Sequence, residues 1–137
     1  MSVGKSYSND DICEIFKCAP QGGMRRSHAT KTLLLISNQT QPSDKNPYQD
    51  RWNGNIFYYT GMGLKGDQDI SYAQNRTLAE SNSNGVEVHL FEVYFPKEYT
   101  YMGKVKLAAA PFKVIQSDSN GASRNVWIFP MELKNHS

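Results

Sequence analysis

Short apolar runs separated by polar turns limit the fold of this 137-residue chain more than any other feature. Runs of four to ten residues with alternating or continuous apolar character are typical of strands. Such runs occupy residues 32–37, 56–60, 86–95, 99–107, 112–116 and 125–133. In 86–95 the alternation changes phase after Leu90, which predicts a β-bulge near that residue. Five or six strands without an internal repeat predict a small, mostly β barrel.

One helix is predicted near the N-terminus. Ser8 can cap it and Asp11 follows three residues later, while apolar residues recur at helical spacing until Pro20 ends the pattern. A further turn of helix is possible around 74–80. The predicted fold class is therefore mostly β (α+β), with one N-terminal helix and a single domain over residues 1–137.

The composition of the chain limits the functions that it can have. A net charge of +2, from 15 basic and 13 acidic side chains, excludes a polybasic tail and allows nucleic-acid binding only through a local basic patch. The longest apolar run is Leu33–Ile36, and the N-terminus has no signal-peptide core, so we expect no membrane segment and no secretion. Cys13 and Cys18 are expected on one helix with diverging side chains, which disfavours a disulfide. These features predict a cytoplasmic protein without a metal or cofactor.

The glycine loop 61–66, GMGLKG, formally matches the dinucleotide-binding fingerprint. No amphipathic helix follows it, so a Rossmann unit is disfavoured, and no Gly-Lys-Ser/Thr completes a Walker loop. A flexible loop remains possible, as does an anion nest of backbone N–H groups with Lys65 adding charge. Glu132 and Lys134 have the Glu-x-Lys spacing of a nuclease strand, but no helix can follow and no partner aspartate is well placed. The histidines exclude an HNH centre.

Residues 48–63, YQDRWNGNIFYYTGMG, resemble the central signature of SRA (SET and RING associated) domains. The similarity continues through Gly66-Asp67-Gln68 and through 74–79, QNRTLA, and extends less specifically over about 20–133. The chain is most similar to the SRA-like modules joined to HNH nucleases in bacterial modification-dependent restriction systems. The resemblance implies a PUA-like β-barrel in a bacterial, DNA-associated protein. Its implied activity is binding of duplex DNA by flipping a 5-modified cytosine into a pocket.

Site roles follow from the same resemblance. Tyr48 and Tyr59 would sandwich the flipped base, Asp50 would accept a hydrogen bond from the cytosine N4 amino group, and Thr60 would complete the reading of the base edge. Expected contacts to the DNA backbone are Gly61, Met62, Gly63, Lys65, Arg25 and Arg26. Asn75 and Arg76 are expected to support the pocket.

The resemblance also implies a binding domain rather than an enzyme. Any nuclease activity would lie on another segment or on a partner chain. Only Leu64-Lys65 remains of the finger that reads the opposite strand in vertebrate members, so a preference for hemimethylated sites is not implied. The kind of cytosine modification, 5-methyl or 5-hydroxymethyl, stays open.

Alternatives remain for the function and for single residues. A PUA-like module that binds RNA or a modified nucleotide would use the same barrel and loop, and a protein-interaction module would expose an apolar face. Tyr58 and Tyr59 must face opposite sides of a strand, and we expect Tyr59 in the pocket and Tyr58 in the core. Trp52 and Trp127 are expected to be packing residues.

Overall fold

A computed structural model describes residues 1–40, 50–63, 66–117 and 121–134, and this part of the chain forms nine strands and two helices. The elements are β1 (Ser6–Tyr7), α1 (Asn9–Phe16), β2 (Met24–Ser27), β3 (Thr32–Asn38), β4 (Arg51–Asn53), β5 (Ile56–Thr60), α2 (Gln74–Ala79), β6 (Glu87–Phe95), β7 (Glu98–Leu107), β8 (Phe112–Ser117) and β9 (Ser123–Leu133). The mostly β prediction is confirmed. The strand number was underestimated, because β1, β2 and β4 have only two to four residues, too few for periodicity to reveal.

All the strands belong to one sheet. Its main path runs β2-β3-β6-β7-β9-β5-β4, with β1 paired to β7 and β8 paired to β9. Every pairing is antiparallel except that of β3 with β6, which is parallel over seven residue pairs. Among the described strands no pairing joins β2 to β4, so the sheet stays open there. This opening lies beside the site described below.

The two sides of the sheet carry separate cores. Leu90 packs into the larger cluster with Phe57 and Phe129, whereas the next residue, Phe91, packs against α1 on the other side. The register of β6 with β7 shifts between Leu90 and Phe91, so the predicted bulge is confirmed. Burial on both faces is the reason that apolar residues occur in two phases along β6.

The helix α1 begins as predicted but ends earlier. Ser8 and Asp11 form a capping box, in which each side chain accepts a hydrogen bond from the backbone N–H of the other residue. The helix ends at Phe16 because Lys17 adopts a left-handed conformation with φ 56°. Cys18 therefore lies outside the helix, and the chain turns it back to the thiol of Cys13. The expectation that these side chains diverge was wrong, although both thiols are free.

The second helix, α2, lies in the connection between β5 and β6. Leu78 anchors it in the larger core cluster, and Asn75 is fully buried in its first turn. The predicted turn of helix at 74–80 is confirmed. Neither described helix is long and apolar enough to cross a membrane.

Candidate functional site

A cavity of about 800 Å³ opens at the free edge of the sheet, next to the ends of β3, β5 and β6. This volume is within the range of about 300–1,000 Å³ that is usual for small-ligand sites. The cavity is lined by Gly22, Gly23, Arg25, Ile36, Asn38, Thr40, Asp50, Tyr59, Thr60, Gly61, Met62, Gly63, Tyr72, Val93, Pro96, Lys97 and Tyr99. Most of the residues that the sequence assigns to the base pocket and the glycine loop thus share one cavity.

Asp50 is held in the cavity by two hydrogen bonds. Its Oδ1 accepts from the Thr60 backbone N–H at 2.7 Å, and its Oδ2 accepts from the Ser37 hydroxyl at 2.8 Å. Burial raises the pKa of Asp50 to about 6, an effect that these two hydrogen bonds oppose and the nearby Glu92 reinforces. Asp50 is therefore mainly a carboxylate at pH 7, and its charge can be removed by mild acid.

Thr60 places a hydroxyl beside this carboxylate. Its side chain is only 3% exposed, and its Oγ1 makes no hydrogen bond of good geometry with any described residue. The hydroxyl is close enough to Asp50 to lower the pKa of that carboxyl. A buried hydroxyl without a well-formed hydrogen bond costs free energy, and a ligand in the cavity would supply a better-placed partner.

Tyr59 forms a wall of the cavity from within the larger core cluster. Its ring is buried, and its hydroxyl donates to the Gly23 carbonyl oxygen at 2.7 Å. Tyr58 faces the other side of β5, where it packs against the guanidinium of Arg51 and the ring of Phe112. The prediction that Tyr58 is a core residue was wrong, since it is only half-buried on that outer side.

The glycine loop is tied to the protein by two amide side chains. Gln68 donates from Nε2 to the carbonyl oxygens of Gly61 and Gly63, and its Oε1 accepts from the Trp127 N–H. Asn75 accepts from the Met62 N–H at 2.7 Å and donates to the Met62 carbonyl oxygen. The structure thus gives Asn75 a supporting position beside the loop.

The anion-nest hypothesis is wrong for the first two amides of this loop. The Gly61 N–H donates to the Trp127 carbonyl oxygen and the Met62 N–H donates to Asn75, so neither points at a free ligand. Gly61 is needed for close packing instead. A Cβ on Gly61 would lie 2.8 Å from Asn75 Oδ1 and 3.0 Å from a carbon of the Phe129 ring.

Arg25 and Arg26 do not form one basic patch, because neighbouring residues of β2 face opposite sides of the sheet. Arg25 is buried at the cavity, donates to Asn9 and to the Gly22 carbonyl oxygen, and lies over the ring of Tyr99. Arg26 donates to the carbonyl oxygens at the β2–β3 turn. Both arginines are structural donors in addition to any contact with DNA.

Arg76 does not line the cavity. Arg76 is 70% exposed and pairs with Glu80 one turn along α2, so it does not support the pocket. Asn75 and Arg76 are adjacent on a helix and point in different directions, which explains why only one of them reaches the loop. Tyr48 and Lys65 lie outside the described residues.

Four polar residues of the site have no role in the sequence prediction. Ser37 and Gln39 form a chain of hydrogen bonds to Asp50, in which Gln39 Nε2 donates to Ser37 Oγ at 2.9 Å. Glu92 is buried nearby and accepts from the Trp52 indole N–H at 3.1 Å. Gln68 falls in the matched Gly-Asp-Gln segment, a signal that could have indicated its role. The other three carry no local pattern, because Ser37 and Glu92 pair with residues 13 and 40 positions away and Gln39 reaches Asp50 only through Ser37.

The Glu-x-Lys pattern near the C-terminus is part of a cross-strand ion pair. Glu132 on β9 lies 3.3 Å from the ammonium group of Lys106, its registered partner on β7. Within the described residues no cluster of three or more histidine, cysteine, aspartate or glutamate side chains is placed to hold a metal.

Comparison with known proteins identifies relatives of the whole chain. The sequence model of a family described as "ScoMcrA-like, SRA domain" matches residues 3–134. No curated protein has significant sequence similarity to the chain.

Solved structures share the fold. The sulfur-binding and SRA domains of ScoMcrA in complex with phosphorothioated DNA align over 97% of this chain, with a TM-score of 0.75 and 16% identity. The Type IV phosphorothioation-dependent restriction endonuclease ScoMcrA aligns with a TM-score of 0.73 at 16% identity. The SUVH5 SRA domain bound to fully hydroxymethylated CG DNA aligns with a TM-score of 0.66 at 17% identity, and the alignment covers 92% of that chain. This chain spans only 40% and 28% of the two ScoMcrA chains.

Proposed function

Because the chain belongs to the family of ScoMcrA-like SRA domains, we propose that it binds duplex DNA containing a 5-modified cytosine and takes that base out of the stack into the cavity. Similar folds occur in complexes with phosphorothioated, methylated and hydroxymethylated DNA, which supports DNA as the partner. Since ScoMcrA is a restriction endonuclease, we further propose that this chain is the recognition module of a modification-dependent restriction system. Cleavage would then lie on another segment or chain.

The paired chemistry of Asp50 and Thr60 carries the proposal. Cytosine presents an N4 amino donor next to the N3 and O2 acceptors, whereas thymine presents an O4 acceptor in place of the amino group. A carboxylate at Asp50 accepts from the amino group, and the hydroxyl of Thr60, which makes no well-formed hydrogen bond with a described residue, donates to the neighbouring acceptor. This donor–acceptor order fits cytosine and opposes thymine.

The energetics permit flipping without covalent chemistry. Extrusion of a base from a duplex costs a few kcal/mol. Stacking on aromatic rings contributes about 1–3 kcal/mol per base, and the ring of Tyr59 supplies one wall, with Tyr48 proposed for the other. Burial of one methyl group adds about 0.8 kcal/mol, so 5-methylcytosine should be preferred over cytosine by about fourfold unless the cavity adds contacts to a larger group.

Phosphate binding is proposed for the residues around the cavity mouth. Arg25 and Gly63 line the cavity, and Lys65 belongs to the same glycine loop. Because the net charge is only +2, a few such contacts must supply the salt-dependent part of the affinity.

Affinity for four matched probes tests the proposal. The probes are one duplex sequence with cytosine, 5-methylcytosine or 5-hydroxymethylcytosine at a single position, and a single-stranded RNA of the same sequence. We expect a modified duplex to bind at least a few-fold more tightly than the unmodified duplex, with RNA the weakest. Preferential binding of RNA would support the PUA-like RNA alternative, and absence of salt-dependent binding to every probe would refute a nucleic-acid partner.

A further inference from the structure

The turn between β6 and β7 lies at the rim of the cavity. Phe95 and Glu98 are the last paired residues of this hairpin, so Pro96 and Lys97 form a two-residue tip. Both tip residues line the same cavity as Asp50 and Thr60. A duplex that delivers a base into the cavity must therefore pass close to this tip.

The tip holds a positive charge in a conformation that disfavours lysine. Lys97 has φ 69°, in the left-handed region that glycine or asparagine adopts at lower cost. Proline followed by a residue of positive φ fits a type II turn, and tight hairpins usually use the mirror-image turns that match strand twist. Lys97 makes no hydrogen bond or ion pair with the described residues, so no part of the described fold uses its ammonium group.

An exposed aromatic ring adjoins this charge. Phe95 is 66% exposed and has no ring contact among the described residues. Tyr94 beside it is about half-exposed. Single exposed apolar residues are common on protein surfaces, but an exposed ring at the end of a strand, two residues before a lysine that lines the cavity, has a specific chemical use beside a flipped base.

We propose that this tip fills the gap that the flipped base leaves in the duplex. Phe95 stacks on the base that borders the gap, and Lys97 binds a phosphate beside the flipped nucleotide. Proteins that distort duplexes commonly insert apolar side chains between bases in this way. The inference rests on the proposed function, and it assigns the role to the β6–β7 hairpin rather than to the glycine loop, which has only Leu64 and Lys65 between Gly63 and Gly66.

Variants of Phe95 test the stacking role, with Ile115→Ala as the matched control. Ile115 is 73% exposed on β8 and does not line the cavity. Loss of a stacking ring should weaken binding of the modified duplex by about five- to 150-fold in Phe95→Ala. Phe95→Trp should retain the affinity, and Ile115→Ala should have no effect. Wild-type affinity in Phe95→Ala would overturn the role of Phe95 in the gap.

Glycine substitutions of two lysines with left-handed backbone conformation test the role of the Lys97 charge. Lys97→Gly and Lys31→Gly each remove one positive charge and relieve the same backbone strain, since Lys31 has φ 55° in the β2–β3 turn away from the cavity. Both should raise the melting temperature. Only Lys97→Gly should make the slope of log affinity against log salt shallower by about one. Equal slopes in the two variants would remove Lys97 from the interface.

The proposed function and the role of the hairpin tip can fail separately. If the wild-type protein does not prefer the modified duplex, the proposed function fails. If the wild-type protein prefers it and the Phe95 and Lys97 variants behave like their controls, only the role of the hairpin tip fails.

Discussion

The buried carboxylate of Asp50 should make the stability of the protein depend on pH between about 4 and 7. Burial raises its pKa from 3.8 to about 6 in the folded protein, against the opposing hydrogen bonds from Thr60 and Ser37. The difference corresponds to about 3 kcal/mol at 1.36 kcal/mol per pKa unit. At pH 7 the folded state therefore carries a destabilising charge that the unfolded chain keeps in water.

The sign of the effect follows from proton linkage. Between about pH 4 and pH 6 the folded protein binds more protons at Asp50 than the unfolded chain does. The contribution of Asp50 to stability is thus fully present below pH 3.8 and is lost as the pH rises through about 6. Asp50→Asn removes this titration and leaves every other group in place.

Urea unfolding of the wild-type protein and Asp50→Asn at pH 7, 6, 5 and 4 measures the effect. The difference in unfolding free energy between them should shift by about 2 kcal/mol in favour of the wild-type protein between pH 7 and pH 4, most of the full difference of about 3 kcal/mol that is reached only below pH 3.8. Linear extrapolation at each pH gives this difference, in which the titration of shared groups cancels. A difference that stays constant over this range would show that Asp50 is not buried as described.

Three further substitutions separate folding from recognition. Thr60→Val removes a hydroxyl that makes no well-formed hydrogen bond with a described residue and interacts only weakly with Asp50, so the melting temperature should change little. Affinity for the modified duplex should drop by about 0.5–1.5 kcal/mol, and a large loss of stability with unchanged affinity would contradict this role. Tyr59→Phe loses the hydrogen bond to Gly23 and should lower the free energy of unfolding in urea by about 1 kcal/mol. The variant should keep the preference for the modified duplex because the ring remains. Loss of that preference would assign recognition to the hydroxyl. Gly61→Ala should destabilise the protein by about 1–3 kcal/mol, because the added Cβ would lie too close to Asn75. A melting temperature equal to that of the wild-type protein would show that the loop is loosely packed.

The sequence predicted those structural features that are determined by residues close together in the chain. The cap of α1 and the phase change in β6 are both visible within a few residues of sequence. The end of α1 was not predictable, because Lys17 carries no glycine signal for its left-handed conformation. The parallel pairing of β3 with β6 joins residues more than fifty positions apart, which no local pattern reports.

The site was predictable to the extent that it is contiguous. Asp50, Tyr59 and Thr60 lie within one motif, and the structure brings them into one cavity. Arg25 packs against Asn9, 16 positions before it, and Tyr99, 74 positions after it, so its local sequence suggests only a basic side chain. The partners of the glycine-loop amides likewise come from α2 and β9, and sequence alone could not show that those N–H groups are occupied.

Base flipping breaks the pair between the modified cytosine and its guanine, and imino-proton NMR reports that break. In imino-proton NMR of a duplex with a single 5-methylcytosine, the guanine opposite the modified base gives a resolved resonance while the pair is intact. At saturating wild-type protein, the account predicts that this resonance disappears through exchange with water, while the imino resonances of pairs several steps away persist. Persistence of the guanine resonance in a saturated, modification-selective complex would show that the base stays in the duplex and does not enter the cavity of Asp50 and Thr60.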